Sequence, residues 1–328
     1  MLAAFAMTPG LQHRFFDVAL LAELQDLVRL DSDVVLQDLG SPPAADVEIL
    51  VTSWGSPVID TTALAAMPRL RAVVHAAGSV KHLLCPEVWE RGVRVTSGAA
   101  INARPVAEFA LGAVLWSTKN VLPLTERFRQ ERTAPDLTMD DTIAGNYRTT
   151  VGILGASATG RSLIELLAPF DIDVLVSDPT LSAADASALG AELVPLDQLF
   201  ARSRVLSVHA PLLPETRHLV DSRLLTLMPD GATLINTARG GVVDHDALRV
   251  ELLDGRLQAV LDVTEPEPLP HDDPMWMLPN VTITPHIAGS QGRELLRLGR
   301  AVVDEVRALI DGRPPLRPVD PGALATSA

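Results

Sequence analysis

Three apolar runs in the second half of the chain each end on residues able to do chemistry. ATLINTA leads to Arg239, LQAVLDV to Glu265 and Glu267, and VTITPH to His286. An arginine fork matches a carboxylate and the carbonyl oxygen beside it. A histidine titrating near neutral pH gives or takes a hydroxyl proton as a hydride moves. A carboxylate beside that histidine favours the imidazolium and fixes the ring, and either Glu265 or Glu267 can supply it. The set suits the interconversion of a carbonyl and an alcohol next to a carboxylate.

A second motif would hold the hydride carrier. VGIL-GASATG-RSLIELL reads as a strand, a small-residue turn and a helix over residues 151–167. In a dinucleotide fingerprint the first glycine permits a tight turn, the second admits the pyrophosphate, and the third lets helix and strand pack closely. Gly155 and Gly160 fill the first and third places, and Ser157 stands in the second. The helix N-terminus suits an anion, and Arg161 follows directly. The next strand, IDVLVS, leads into Asp178, 18 residues past Gly160, where an acidic residue bonds the adenosine ribose. Asp178 would repel a 2′-phosphate, so NAD is expected in preference to NADP.

These residues need a scaffold of strands. LAAFAM, VEILVTSW, LRAVVHAA and VRVTS alternate with helical patterns over the first hundred residues, and a second alternation begins at about 150. Continuous apolar runs mark parallel strands covered on both faces. The class is therefore α/β, with two doubly wound parallel-sheet domains. Residues 101–130 read as a long helix or a helix pair, broken or kinked at Pro123. The stretch 131–149 reads as polar and irregular, 292–312 as a final helix, and RPPLRPVDPG as a tail.

Composition narrows the partners. The 328 residues carry a formal net charge of −14, which disfavours nucleic acid and anionic membrane surfaces. The single cysteine, Cys85, excludes an internal disulfide and a cysteine metal cluster. No run is long enough to span a bilayer, and the N-terminus lacks the basic region of a signal peptide. A cytoplasmic protein is expected. Asp244–His245–Asp246 reads as a helix start with Asp244 as cap rather than a metal cluster. His271–Asp272–Asp273 reads as a solvated loop, and no metal site is expected.

Taken in order, VGILGASATGR, HAPLLPETRHLV (209–220), MPDGATLINTARGGVVDHDAL (228–248), LDVTEPEPLP and LPNVTITPHIAG (278–289) resemble the D-isomer-specific 2-hydroxyacid dehydrogenases. The likeness covers essentially the whole chain. It implies a Rossmann cofactor domain, residues 99–289, inserted into a flavodoxin-like substrate domain made of 1–98 and 290–328. It implies Arg239 as the substrate-binding arginine and His286 as acid/base. The glutamate of the final Glu-Pro, Glu267 rather than Glu265, is then the partner of His286. The cofactor set it implies is Gly155, Ser157, Thr159, Gly160, Arg161 and Asp178, then His209, Pro211 and Thr216. Thr237, Ala238, Arg239, Asp262, His286 and Gly289 complete it. The backbone of Gly78, Ser79 and Val80 would hold the substrate carboxylate, and Arg239 and His286 complete the substrate-binding set. The helix from 101 is similar to the family's dimer-forming element, so a homodimer is implied.

Two departures from the family bear on function. Ser157 replaces the middle glycine, and HAAGSVKHL (75–83) carries Lys81 and His82 where the family has an acidic neighbourhood. They motivate a competing expectation, an NAD(H)-sensing protein like the corepressors of this fold, without turnover. DVTEPEPLP is similar to the glyoxylate and hydroxypyruvate reductases of the family. The short stretch after residue 312 makes a phosphoglycerate dehydrogenase with a regulatory domain the less expected member. The retained histidine–carboxylate pair makes formate dehydrogenase less expected.

Overall fold

A computed structural model describes residues 1–134, 136–138, 145–322 and 324. The chain forms two compact units. One takes Met1–Asn102 and resumes at Ser290; the other is Ala103–Gly289.

In the first unit β1 (Ala3–Ala6), β2 (Ile49–Thr52), β3 (Ala72–His75) and β4 (Arg94–Ser97) form a parallel sheet in that order. Every residue of β1, β2 and β3 is buried, because helices cover both faces. Helices Val18–Leu27 and Leu295–Ile310 lie together on one face. Gly299 lets the last of these helices press against the segment just before Val18, since a Cβ there would sit 1.8 Å from the Phe15 carbonyl oxygen. Isolated parallel bridges Leu2–Arg29 and Phe5–Val35 place the segment 29–35 on the free edge of β1. With that segment counted, the spatial order is the 2-1-3-4-5 of flavodoxin-like sheets.

The final stretch is not a tail. Thr96 and Pro318 form an antiparallel bridge, Val319 N donates to Val95 O, and Ser97 N donates to Arg317 O. Glu305, 5% exposed, accepts from Leu316 N and from the Arg317 guanidinium. The proline-rich composition misleads here because an edge position tolerates a residue with no amide hydrogen.

In the second unit seven parallel strands run in the order β11-β10-β9-β8-β5-β6-β7. They are β5 (Thr149–Leu154), β6 (Ile172–Ser177), β7 (Glu192–Leu193), β8 (Val205–Val208), β9 (Thr233–Asn236), β10 (Gln258–Leu261) and β11 (Val281–Ile283). The order reverses between β5 and β8, the switch point at which such sheets bind ligands. Residues 101–130 are a helix pair, Ala99–Ser117 and Val121–Glu131. The break falls at Asn120, whose φ of 49° is left-handed, and not at Pro123. Pro123 lies in the first turn of the second helix, where a missing amide hydrogen costs nothing. Pro105 sits inside the first helix. Of the stretch 131–149, residues 135 and 139–144 lie outside the described residues.

Candidate active site

The dinucleotide-type loop follows β5. Gly155 has φ +95°, and a Cβ there would lie 2.7 Å from Ala210 N and 2.9 Å from Ala210 Cα, at the end of β8. Only glycine fits that turn. At Gly160 a Cβ would lie 2.1 Å from the Gly155 carbonyl oxygen. That neighbour is backbone and cannot swing aside. Gly160→Ala is expected to destabilise the unit by about 1–3 kcal/mol and to abolish NADH binding. Thermal unfolding and NADH fluorescence titration measure both effects.

Ser157 has an ordinary backbone conformation, φ −61° and ψ 175°, so no glycine is demanded there. Its hydroxyl accepts from Gly160 N at 3.3 Å and caps the helix Ala158–Leu167. Among the described residues the amides of Ser157, Ala158 and Thr159 have no hydrogen-bond partner, which suits an anion such as a pyrophosphate. Arg161, exposed, donates from Nε to Ala156 O at 2.9 Å. Asp178 accepts from Ala156 N at 2.7 Å, from Thr180 N at 2.8 Å and from the Thr180 hydroxyl at 2.6 Å. Burial opposes its ionisation. The Thr180 and Ala156 hydrogen bonds and the Arg161 charge nevertheless hold its carboxyl below the usual range.

The segment after β8 carries His209, Pro211 and Thr216. Thr216 closes that loop by donating to Pro211 O and accepting from Leu213 N. His209 is buried, with Nε2 2.8 Å from the Ser207 hydroxyl. His75, at the end of β3 in the other unit, is likewise buried, with Nδ1 2.9 Å from the Thr52 hydroxyl. Burial pushes each pKa from 6.5 down to about 4. The unfolded chain therefore binds more protons between pH 6.5 and 4. Stability from these histidines is full above pH 6.5 and is lost as pH falls towards 4. The loss is expected to reach about 3 kcal/mol per histidine, and denaturant unfolding at stepped pH measures it.

After β9 the buried Asn236 side chain donates to Arg239 O at 3.0 Å and accepts from Ala238 N at 3.0 Å. It fixes the turn that presents Arg239. The Arg239 guanidinium, half-buried, donates to Ala238 O and makes no ion pair with Asp244, Asp262 or any other described carboxylate. The Thr237 hydroxyl is buried without a partner. Asn236 escaped the sequence reading, although a polar residue closing an apolar strand was its signal.

After β10, Asp262 is buried and accepts from the Thr284 hydroxyl at 2.6 Å, Ile287 N at 2.8 Å and Ala288 N at 2.9 Å. Its carbonyl accepts from His286 N at 3.1 Å. Asp262 thus ties down the loop that holds His286 in a left-handed conformation, φ 54°. His286 Nδ1 lies 2.7 Å from Glu267 Oε1. A carboxylate only accepts, so Nδ1 carries the hydrogen and Nε2 is left for another partner. Glu265 is occupied elsewhere, 3.0 Å from Arg217 and 3.0 Å from His218. The side-chain geometry separates the two glutamates.

The cofactor-type loop, Thr237, Arg239, Asp262, Glu267 and His286 all belong to the carboxyl ends of one sheet, with Ala238 beside Arg239 and half-buried Gly289 after Ala288. Gly78, Ser79 and Val80 follow β3 in the other unit. Their amides have no partner among the described residues, while the Val80 side chain is buried in the core. Lys81 N donates to the Ser79 hydroxyl, and His82 is exposed. Asp244 caps its helix by accepting from Asp246 N and Ala247 N. His271 and Asp272 are exposed, but Asp273 corrects the reading of a solvated run: it is 8% exposed and pairs with Arg249 at 2.8 Å. Among the described residues no cluster of His, Cys, Asp and Glu is arranged to hold a metal ion, and no helix is long and apolar enough to cross a membrane.

Sheet order, glycine cradle and unpartnered amides define a doubly wound fold with a dinucleotide-type loop at its switch point. Residues 111–288 match the model of the D-isomer specific 2-hydroxyacid dehydrogenase NAD binding domain, and the chain belongs to that family. It is 34% identical over 275 residues to a D-3-phosphoglycerate dehydrogenase of Mycobacterium tuberculosis, covering 84% of this chain and 51% of that protein. The chain thus spans about half the length of the phosphoglycerate dehydrogenases it matches. A glyoxylate reductase of Korarchaeum cryptofilum is 30% identical over 275 residues, 82% of each chain. Among solved structures, a D-isomer specific 2-hydroxyacid dehydrogenase of Xanthobacter autotrophicus in complex with NADPH and MES superposes with a TM-score of 0.74. That structure is 27% identical and covers 98% of this chain and 99% of its own.

Proposed function

We propose that this chain is an NAD(H)-dependent oxidoreductase that interconverts a D-2-hydroxy acid and its 2-keto acid. The observation that carries the reading is the 2.7 Å contact between His286 Nδ1 and Glu267, at the end of the sheet that also presents an Arg239 without an ion pair. The residues fit a dinucleotide: Gly155 and Gly160 form a cradle that a Cβ would fill, and the Thr237 hydroxyl is buried without a partner. When bound, the nicotinamide supplies or accepts the hydride at C2 of the substrate.

Arg239 binds the carboxylate and the carbonyl oxygen in a bidentate fork. The unpartnered amides of Gly78, Ser79 and Val80 suit a carboxylate as well. His286 Nε2 protonates the carbonyl oxygen as it becomes a hydroxyl, and takes that proton back in the reverse direction. Glu267 accepts from Nδ1–H, which sets the tautomer and stabilises the imidazolium. The amides of Ser157, Ala158 and Thr159, together with Arg161, hold the pyrophosphate, and Asp178 holds the adenosine ribose. His209, Pro211, Thr216, Ala238, Asp262 and Gly289 shape the nicotinamide side. The Asp178 carboxyl stays ionised at neutral pH, which supports NAD over NADP.

The substrate reading is a small 2-keto acid of the glyoxylate or hydroxypyruvate kind. It rests on DVTEPEPLP and on the relative named glyoxylate reductase. Assembly as a homodimer is supported by helix Val121–Glu131, which buries none of its residues in the protomer. Trp116 and Phe128, 55% and 53% exposed, lie on the same helix pair. Light scattering should give twice the 35.1 kDa chain mass.

The test of function is NADH oxidation by purified protein against 2-keto acids from glyoxylate to branched and aromatic members, with NADPH in parallel. Turnover with NADH on small members is expected. Tight NADH binding with silence across the panel would replace this reading with an NAD(H) sensor.

A further inference from the structure

We infer that Arg217, Glu265 and His218 form a positioning cluster that holds the segments bearing Arg239 and Glu267 in mutual register, so that Glu265 serves the reaction without touching substrate. The inference rests on the function proposed above. Glu265 spans two side chains: Oε1 lies 3.0 Å from the Arg217 guanidinium and Oε2 lies 3.0 Å from His218 Nε2.

Three chain segments meet at this carboxylate. The segment 217–220 pairs with 241–244: His218 N donates to Gly241 O at 2.8 Å, Val220 N to Val242 O at 3.0 Å and Asp244 N to Val220 O at 3.0 Å. The segment 264–265 lies directly on Gly240, where a Cβ would be 2.0 Å from Thr264 O and 2.7 Å from Glu265 N. A Cβ on Gly241 would be 3.1 Å from Arg217 and 3.2 Å from both Glu265 oxygens. Arg239 immediately precedes these glycines, and Glu267 is two residues past Glu265. A shift of the clamp is therefore passed directly to both functional side chains.

Burial opposes ionisation of Glu265, but the hydrogen bonds from His218 and Arg217 keep its carboxyl below the usual range. His245 feels the Glu265 charge and is itself flanked by Arg249 and Asp273. His245 donates from Nδ1 to Val243 O, leaving a buried Nε2 without a partner, and Arg249 is paired with Asp273. Arg217 and His218 are about half exposed, so the bridges add little stability. Their consequence is geometric, and misplacement by about 1 Å costs a reaction on the order of 100-fold.

The test compares wild type with Glu265→Ala and Glu265→Gln in protein carrying 15N-histidine. Long-range proton–nitrogen spectra at about pH 9, where histidine is neutral, report which His286 nitrogen is protonated. Wild type should show Nδ1–H, held by Glu267. Glu265→Ala should show a mixture of tautomers, with kcat lowered roughly 10- to 100-fold and KM for NADH within about twofold of wild type. Glu265→Gln, which keeps an acceptor for Arg217, should restore part of both. A folded Glu265→Ala variant with the wild-type tautomer and kcat would overturn the inference. If that variant does not fold, Arg217→Ala and His218→Asn carry the same comparison, asparagine being tolerated at the left-handed φ of 51°. Wild-type protein with no turnover on any 2-keto acid would overturn the proposed function instead, and the tautomer comparison would still decide the cluster.

Discussion

Replacing His286 with alanine is expected to lower kcat for 2-keto acid reduction by about 10²- to 10⁴-fold, with NADH affinity within about twofold of wild type. The two effects separate because the dinucleotide loop is built without this side chain: Gly155, Ser157 and Gly160 pack among themselves and against Ala210. What the variant loses is the proton donor at Nε2, whose protonation and orientation Glu267 sets from Nδ1 at 2.7 Å. Glu267→Gln, which keeps the contact and removes the charge, should fall between wild type and His286→Ala. Steady-state kinetics with fluorescence titration of NADH measures both quantities. Equal turnover in wild type and His286→Ala would remove the histidine from the mechanism.

Arg239→Ala is expected to lower kcat/KM for the keto acid by roughly 10³- to 10⁴-fold, since a hydrogen bond to a charged group contributes about 1.5–3 kcal/mol and the fork makes two. Arg239→Lys keeps the charge and loses the planar fork, so a fall of about 10²-fold is expected. Much of that loss should appear in KM. Arg239 makes no ion pair among the described residues, and its turn is fixed by Asn236 rather than by its own side chain. Both variants should therefore keep the wild-type melting temperature. A large drop in stability would instead mark Arg239 as structural.

The parallel strands were legible because burial on both faces leaves unbroken apolar runs, as in ILV of β2 and VGIL of β5. Order along the sheet was not, since nothing in a single strand states its neighbour. The edge segment 29–35 is interrupted by Asp31, Ser32 and Asp33 and β7 has only two residues, so neither registers as an apolar run. The helix break was misassigned to Pro123 because a proline in a first turn and one at a break read alike without the cap residue Asn120. RPPLRPVDPG read as loose because the group that anchors it, Glu305, lies in the preceding helix and in sequence looks like one more acid of an acidic chain.

The candidate site was legible as residue types and order. Its internal roles were not. Ser157 looked like damage to a glycine motif, whereas its ordinary φ and its bond to Gly160 N make it a helix cap. Asp262 was assigned to the cofactor, and both of its carboxylate oxygens organise the His286 loop. Glu265 and Glu267 were indistinguishable by residue type alone; the family resemblance singled out Glu267, and in the fold Glu267 lies against His286 while Glu265 lies against Arg217 and His218. Each case turns on which polar groups the fold brings near, and spacing along the chain does not encode that.

Isotope transfer follows the hydride itself. NADH carrying deuterium at both C4 positions of the dihydronicotinamide is incubated with the protein and a 2-keto acid that it turns over and whose product has a stereocentre at C2, such as hydroxypyruvate, and the product is analysed for deuterium at C2 and for configuration. The expected product is a D-2-hydroxy acid carrying one deuterium at C2. A product of L configuration, or one without deuterium at C2, would contradict the proposed function.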